Sequence, residues 1–234
     1  MNKKSPAYVL AFMAAICLVF GAAIAVVNYA TLGLLAKNEA LHRNTVWCRA
    51  FLLPVAGNAA EDYQRAVDEN LVPLTLQDAA GEIKGYRRIT PGHEAVGFLV
   101  GGLGFWDRIE AAIVLTPDLR EVINLQFMDQ KETPGLGARV TEEWFTDQFK
   151  GRIVDWDGPA DARLIVGPAP NPQAANRVDG ITGATQTSMA LARFLNSELN
   201  RIRALLPAAL ATAAAAPATA GESICPSSSI TTTT

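Results

Sequence analysis

Apolar and polar positions divide the chain into regimes that predict different structures. Residues 5–36 carry no charged side chain, with Lys3 and Lys4 before them and Lys37 after. A helix needs roughly 20 apolar residues to cross a bilayer core, and residues 7–29 supply them. The run is longer than the roughly 7–15 apolar residues of a cleaved leader, so a retained transmembrane helix is expected over residues 1–36. Gly21, Ala22, Ala23 and Ala25 make part of its surface small, and Asn28 and Tyr29 suit an interface. Residues 37–49 are polar and of mixed charge and extend the helix outward. Residues 59–70 (AAEDYQRAVDEN) have helical composition, so residues 37–80 read as a helical connector.

Beyond residue 80 the period changes. Residues 81–90, 95–100, 108–115 and 121–129 read as strands separated by short turn signals, such as Thr116-Pro117-Asp118. Strand, short turn, strand is the pattern of an antiparallel meander. Residues 141–150 (TEEWFTDQFK) read as a helix opened by a capping box at Thr141, with Trp144, Phe145 and Phe149 on one side. Residues 162–166 read as a short strand and residues 188–206 as a long helix. From Pro207 the sequence is alanine, threonine, serine and proline, too poor in bulky apolar residues to pack. The expected class is α+β: a curved, mostly antiparallel sheet flanked by helices over residues 81–206, with one N-terminal transmembrane helix and a low-complexity tail over residues 207–234.

Composition removes several functions. Half the residues are hydrophobic and the net charge is −3, with scattered lysines and arginines, so nothing offers the basic face that nucleic acid requires. The only histidines, His42 and His93, are far apart, which argues against a histidine metal site. Cys17, Cys48 and Cys225 lack C-x-x-C spacing. Cys48 and Cys225 are the pair an oxidising compartment would allow to join, and the sequence does not fix that pairing. Lys3 and Lys4 favour an inside N-terminus, but Lys37, Arg43 and Arg49 also lie within range, so charge alone leaves orientation open.

The chemically informative stretch is VDGITGATQTSM, residues 178–189. Gly180 and Gly183 permit tight turns. Thr182, Thr185, Thr187 and Ser188 gather hydroxyls where a helix begins. Such hydroxyls most often cap the helix. The free N–H groups and positive dipole end there also suit a phosphate, held by hydrogen bonds or borne covalently. Glu132-Thr133-Pro134-Gly135-Leu136-Gly137 cannot be regular structure, and its glycines are equally compatible with a simple turn. Adjacent Glu142 and Glu143 point apart and read as a solvated face. Trp106, Trp144 and Trp156 read first as core residues, and Lys131 as a surface lysine.

Two of these stretches carry a resemblance. T-G-A-T-x-T, preceded by D-G-I, resembles the [ST]-G-A-[ST]-x-[ST] flavinylation motif of FMN-binding domains. Such domains occur in the G subunit of the Rnf electron-transport complex and in the C subunit of the sodium-pumping NADH:quinone reductase. E-T-P-G-L-G and the Gly104-Phe105-Trp106 segment match the same family. The resemblance implies covalent FMN, joined by a phosphoester to Thr187 through the action of a separate flavin transferase. Thr182, Gly183, Ala184 and Thr185 would present that residue, with Asp179 at a position where the family usually has an acid. Glu132, Thr133, Pro134, Gly135, Leu136 and Gly137 would lie against the flavin, Trp106 would border it, and Lys131 is placed to offset charge on it. The implied role is an electron-transfer subunit of an ion-translocating membrane complex, Rnf-type ahead of quinone-reductase type, with the other subunits as partners. The domain would stand on the extracytoplasmic side of the cytoplasmic membrane, since the family's transferase works there. Rival expectations are an anchored oxidoreductase with its own soluble substrate, and a non-redox interaction module whose threonines only cap a helix.

Overall fold

The structure is a computed structural model that describes residues 6–215. It opens with helix α1, Pro6–Ala50, about 65–70 Å long at 1.5 Å per residue. Its first part is long and apolar enough to cross a membrane and leaves Leu10, Leu18, Val19 and Ile24 exposed. Its last turns change character: Val46, Trp47, Cys48 and Ala50 are buried and, with Phe51 and Leu53, belong to the domain core. Helix α2, Ala60–Asn70, packs beside them.

Six strands follow in one antiparallel sheet ordered β1 to β6: Leu71–Asp78, Gly81–Arg88, Ala95–Leu103, Arg108–Leu115, Glu121–Asp129 and Arg152–Ile153. β3, β4 and β5 begin where the sequence predicts, and β4 and β5 also end there. Period 2 explains how β4 serves both faces. Ile109, Ala111, Ile113 and Leu115 join the core under the C-terminal helix, and Ala112 and Val114 join the core under the end of α1. Register shifts between β4 and β5 at Glu110/Ala111 and at Val114/Leu115 bend the sheet, as bulges do.

Helix α4, Thr185–Ala215, covers one face and contacts β3 and β1. Leu191, Leu195, Leu199, Ile202 and Leu206 recur at helical spacing along its buried side. Arg201 ties it to the end of β1 through Asp78, 2.8 Å away. A short parallel pair, β7 (Ile165–Val166) and β8 (Arg177–Val178), runs just before α4. The fully buried Asn196 accepts from the Leu164 N–H at 2.8 Å and donates to the Leu164 carbonyl at 2.9 Å. It thus pairs with that backbone as a strand would.

Four expectations are corrected. Residues 71–78 fall in the expected helical connector but form β1, because Leu71, Leu74 and Leu76 turn inward and pair against β2. The short strand expected over residues 162–166 is confined to Ile165–Val166; Leu164 is held instead by Asn196. Thr141 opens no capping box: its hydroxyl donates back to the Ala138 carbonyl. Residues 141–150 break into the end of a 3₁₀ turn, the short helix α3 (Glu143–Thr146) and a second 3₁₀ turn. Phe145 and Phe149 are buried there while Trp144 is exposed, stacked under Arg139. Finally, α4 runs through Pro207 to Ala215, because Leu205, Ala209 and Leu210 still pack on the core and alanine favours helix. The rest of the expected tail, with Cys225, lies outside the described residues.

Cys48 is buried and donates to the Tyr63 carbonyl at 3.6 Å. Burial pushes its thiol up to about 11, so little thiolate exists near neutral pH. In the native full-length chain at pH 8, iodoacetamide should therefore spare Cys48, and the peptide containing it should be alkylated only after unfolding in urea. Peptide mapping by mass spectrometry reads the difference; equal labelling in both states would contradict the burial.

Candidate functional site

Three chain segments converge where β3 turns into β4, where β5 ends, and where α4 begins. Glu132, just beyond β5, is almost wholly removed from solvent, with 5% relative exposure. Its Oε1 accepts the backbone N–H groups of Phe105 at 2.8 Å and Trp106 at 3.0 Å. Its Oε2 accepts the Thr187 hydroxyl at 2.8 Å. One carboxylate thus joins the β3–β4 turn, the 132–137 loop and the first turn of α4. The neighbouring glycines make this possible. A Cβ on Gly104 would stand 2.5 Å from Glu132 Oε1, and one on Gly137 would stand 2.6 Å from Thr187 Oγ1 and 2.7 Å from Glu132 Oε2. Real Cβ atoms do not approach so closely, so both positions need glycine for space.

The start of α4 sorts the four hydroxyls. Ser188 is buried and internally used: it accepts from the Ile181 N–H at 3.1 Å and donates to the Ala184 carbonyl at 3.1 Å. Thr182 and Thr185 are exposed, and Ala184 is buried. Thr187 is buried and its hydroxyl donates a hydrogen bond to Glu132. Its Oγ1 lies against the loop at Gly137. The backbone N–H groups of the first helical turn have no carbonyl one turn back to receive them, so this end favours negative charge.

The 132–137 loop folds on itself over that helix start. The Thr133 carbonyl accepts from the Leu136 N–H at 3.1 Å and the Ala138 N–H at 3.2 Å. Leu136 reaches Gly183, where an added Cβ would meet its side chain at 3.1 Å. Thr133, Pro134 and Gly135 are exposed. Exposed apolar side chains stand on the converging segments: Leu103, Phe105 and Trp106 on the turn, and Leu136 on the loop. Phe105 and Trp106 meet edge to face, 5.1 Å between ring centroids.

Of the residues singled out in the sequence, the structure gathers Trp106, Glu132, Leu136, Gly137, Gly183 and Thr187. Asp179 is engaged elsewhere: its carboxylate pairs with Arg177 at 2.5 Å and its N–H donates to Gln148. Lys131 pairs with Asp107 at 3.2 Å, a contact that raises the lysine and, after the Arg108 N–H, helps hold the Asp107 carboxyl below its ordinary value. Trp156 lies between Arg203 and Arg163, 4.6 and 5.3 Å from their guanidinium carbons. Sequence reasoning missed the Phe105 N–H and the bridging role of Glu132; the acid placed before T-P-G-L-G was visible, its two-sided bonding was not.

Residues 104–200 match the family described as the FMN-binding domain. The C subunit of the Na(+)-translocating NADH-quinone reductase of Yersinia pestis is 34% identical over 98 residues, 41% of this chain and 36% of that protein. The G subunit of an ion-translocating oxidoreductase complex of Methanosarcina acetivorans is 28% identical over 155 residues, 65% of this chain and 72% of that protein. The chain spans about a third to a half of the length of the first curated relatives it matches. Among solved structures, the C subunit of the Na(+)-translocating NADH-quinone reductase of Parabacteroides distasonis shares the fold: TM-score 0.61 at 20% identity, covering 73% of this chain and 94% of that one.

The packing at Gly137 gives a direct test of how tightly the three segments are joined. Gly137→Ala should force Thr187 and Glu132 apart and cost about 1–3 kcal/mol, the range for inserting a methyl group into a packed site. The urea midpoint of the detergent-solubilised chain measures it; an unchanged midpoint would mean that the loop yields freely.

Proposed function

We propose that this chain, whose residues 104–200 match the FMN-binding domain family, is a membrane-anchored electron-transfer subunit carrying FMN as a phosphoester on Thr187. The observation that carries the reading is the Thr187 hydroxyl itself. It is the member of the hydroxyl cluster whose proton is directed to a carboxylate, 2.8 Å away, while Ser188 is spent on the helix start. A phosphate on Thr187 would lie at the N-terminal end of α4, where free N–H groups and the helix dipole favour an anion.

The residues around the hydroxyl fit the rest of the group. Gly135 leaves backbone open to close approach, and Phe105, Trp106 and Leu136 offer exposed apolar surface for a flat ring. Thr182, Gly183, Ala184 and Thr185 shape the turn that presents Thr187; Thr133 and Pro134 form the loop's outer edge. FMN would supply one- and two-electron chemistry there. The protein's share is to hold the group permanently, to shield one side of it and to set its surroundings. Because Asp179 is paired with Arg177, its part in this reading is to brace the approach to α4 rather than to touch the group.

The complex would be of the ion-translocating kind, with other membrane subunits as redox partners and a flavin transferase for maturation. The Rnf-type complex is put first and the quinone-reductase type second; G subunits and C subunits both stand among the chain's relatives. Helix α1 would anchor the chain once through the cytoplasmic membrane. Lys3 and Lys4 would remain inside and the domain would stand outside, where the transferase is expected.

The full chain co-expressed with a flavin transferase should give a fluorescent band on a denaturing gel under ultraviolet light, and Thr187→Ala should give none. A dark wild-type band would return the threonines to the role of helix caps. Fluorescence in both would move the acceptor to Thr185 or Ser188.

A further inference from the structure

The unmodified chain holds the acceptor hydroxyl in a state prepared for reaction. A threonine hydroxyl is a weak nucleophile and needs an adjacent base when it attacks. A base must lie within roughly 2.6–3.2 Å of the proton-bearing atom. Glu132 Oε2 is 2.8 Å from Thr187 Oγ1 and accepts a hydrogen bond from it. Oε1 fastens Glu132 to the Phe105 and Trp106 N–H groups. Those two bonds fix the carboxylate, and the second oxygen is left to the hydroxyl. The bond also uses the only proton the hydroxyl has, so its oxygen lone pairs remain for an electrophile.

We propose that Glu132 is the general base of the chain's own flavinylation. This rests on the reading of Thr187 as the FMN acceptor. The flavin donor is FAD, delivered by the transferase. Thr187 Oγ1 forms a bond to the phosphorus on the FMN side of the diphosphate, and its proton passes to Glu132 Oε2. The bond from that phosphorus to the bridging oxygen breaks, and adenosine monophosphate leaves with the bridging oxygen and the electron pair. No oxidation state changes. Thr187 is only 3% exposed, and Gly137 closes over it. The 133–137 loop must therefore lift for the diphosphate to enter, and the absence of a side chain at Gly137 keeps that displacement small. The acceptor substrate thus contributes a catalytic residue to a reaction that would otherwise be assigned wholly to the transferase.

Glu132→Gln separates chemistry from architecture. Glutamine retains a carbonyl oxygen for the Phe105 and Trp106 N–H groups and turns an amide toward Thr187, but takes up no proton. With purified full-length chain, transferase and saturating FAD, covalent flavin is followed by in-gel fluorescence while the unfolding midpoint is measured in parallel. The glutamine variant should incorporate flavin about 10²–10³-fold more slowly than wild type, within the range of general-base contributions. Glu132→Asp keeps a carboxylate one methylene short and should exceed the glutamine variant at least tenfold. Glutamine at the wild-type rate, or glutamine and aspartate at equal rates, overturns the proposal; the second comparison holds even if both variants lose stability. A wild-type chain that stays unlabelled sinks the Thr187 reading and the proposal with it. A labelled wild type, a dark Thr187→Ala and an undiminished glutamine variant leave the reading standing and remove Glu132 from the chemistry.

Discussion

The Glu132 carboxylate is the joint on which the site depends. A carboxylate removed from water loses much solvation, and it remains buried only when hydrogen bonds replace that water. Three donors do so here: two backbone N–H groups from the β3–β4 turn and one hydroxyl from α4. Each donor comes from a segment that the sheet alone would leave loose. Satisfying one buried charge therefore sets the β3–β4 turn, the 132–137 loop and the first turn of α4 against one another. Gly104 and Gly137 follow from the same constraint, since a methyl group at either would push into the carboxylate.

The rest of the architecture delivers those segments to that point. β4 is buried on both faces, so it can hold α4 on one side and the end of α1 on the other. α4 is long enough to cross the sheet from β3 to β1 while its first turn projects at the site. Asn196 and the Arg201–Asp78 pair pin its middle, so packing well away from Thr187 brings it to the carboxylate that fixes it.

Much of this was legible in the sequence, and the parts that were not share a cause. β4 and β5 were readable because their apolar positions follow the strand period and turn residues bound them. Residues 71–78 were obscured by Pro73, and by lying next to a clear helix; their strand character comes from pairing with β2, which is not a local property. Thr141 has the composition of a cap, but the 3₁₀ turn before it claims the hydroxyl. The stretch from Pro207 reads as too poor in bulky apolar residues to pack, yet Ala209 and Leu210 reach the core and the helix continues. At the site, the motif residues stood out individually. Their bonding did not, because Glu132 and Thr187 are 55 positions apart and only the tertiary fold brings them together.

The unbroken run of α1 has a mechanical consequence. The helix that is apolar enough to enter a bilayer continues without interruption until Trp47 and Phe51 are embedded beneath the sheet. A domain on a flexible tether would sample a hemisphere above the membrane, and its redox group would find partners by diffusion. Here the connection is a rod, and the domain's height and facing are inherited from the rod's tilt. With α1 in a bilayer, reorienting the domain would mean tilting or turning the whole shaft, so helices gripping α1 there would also steer the domain.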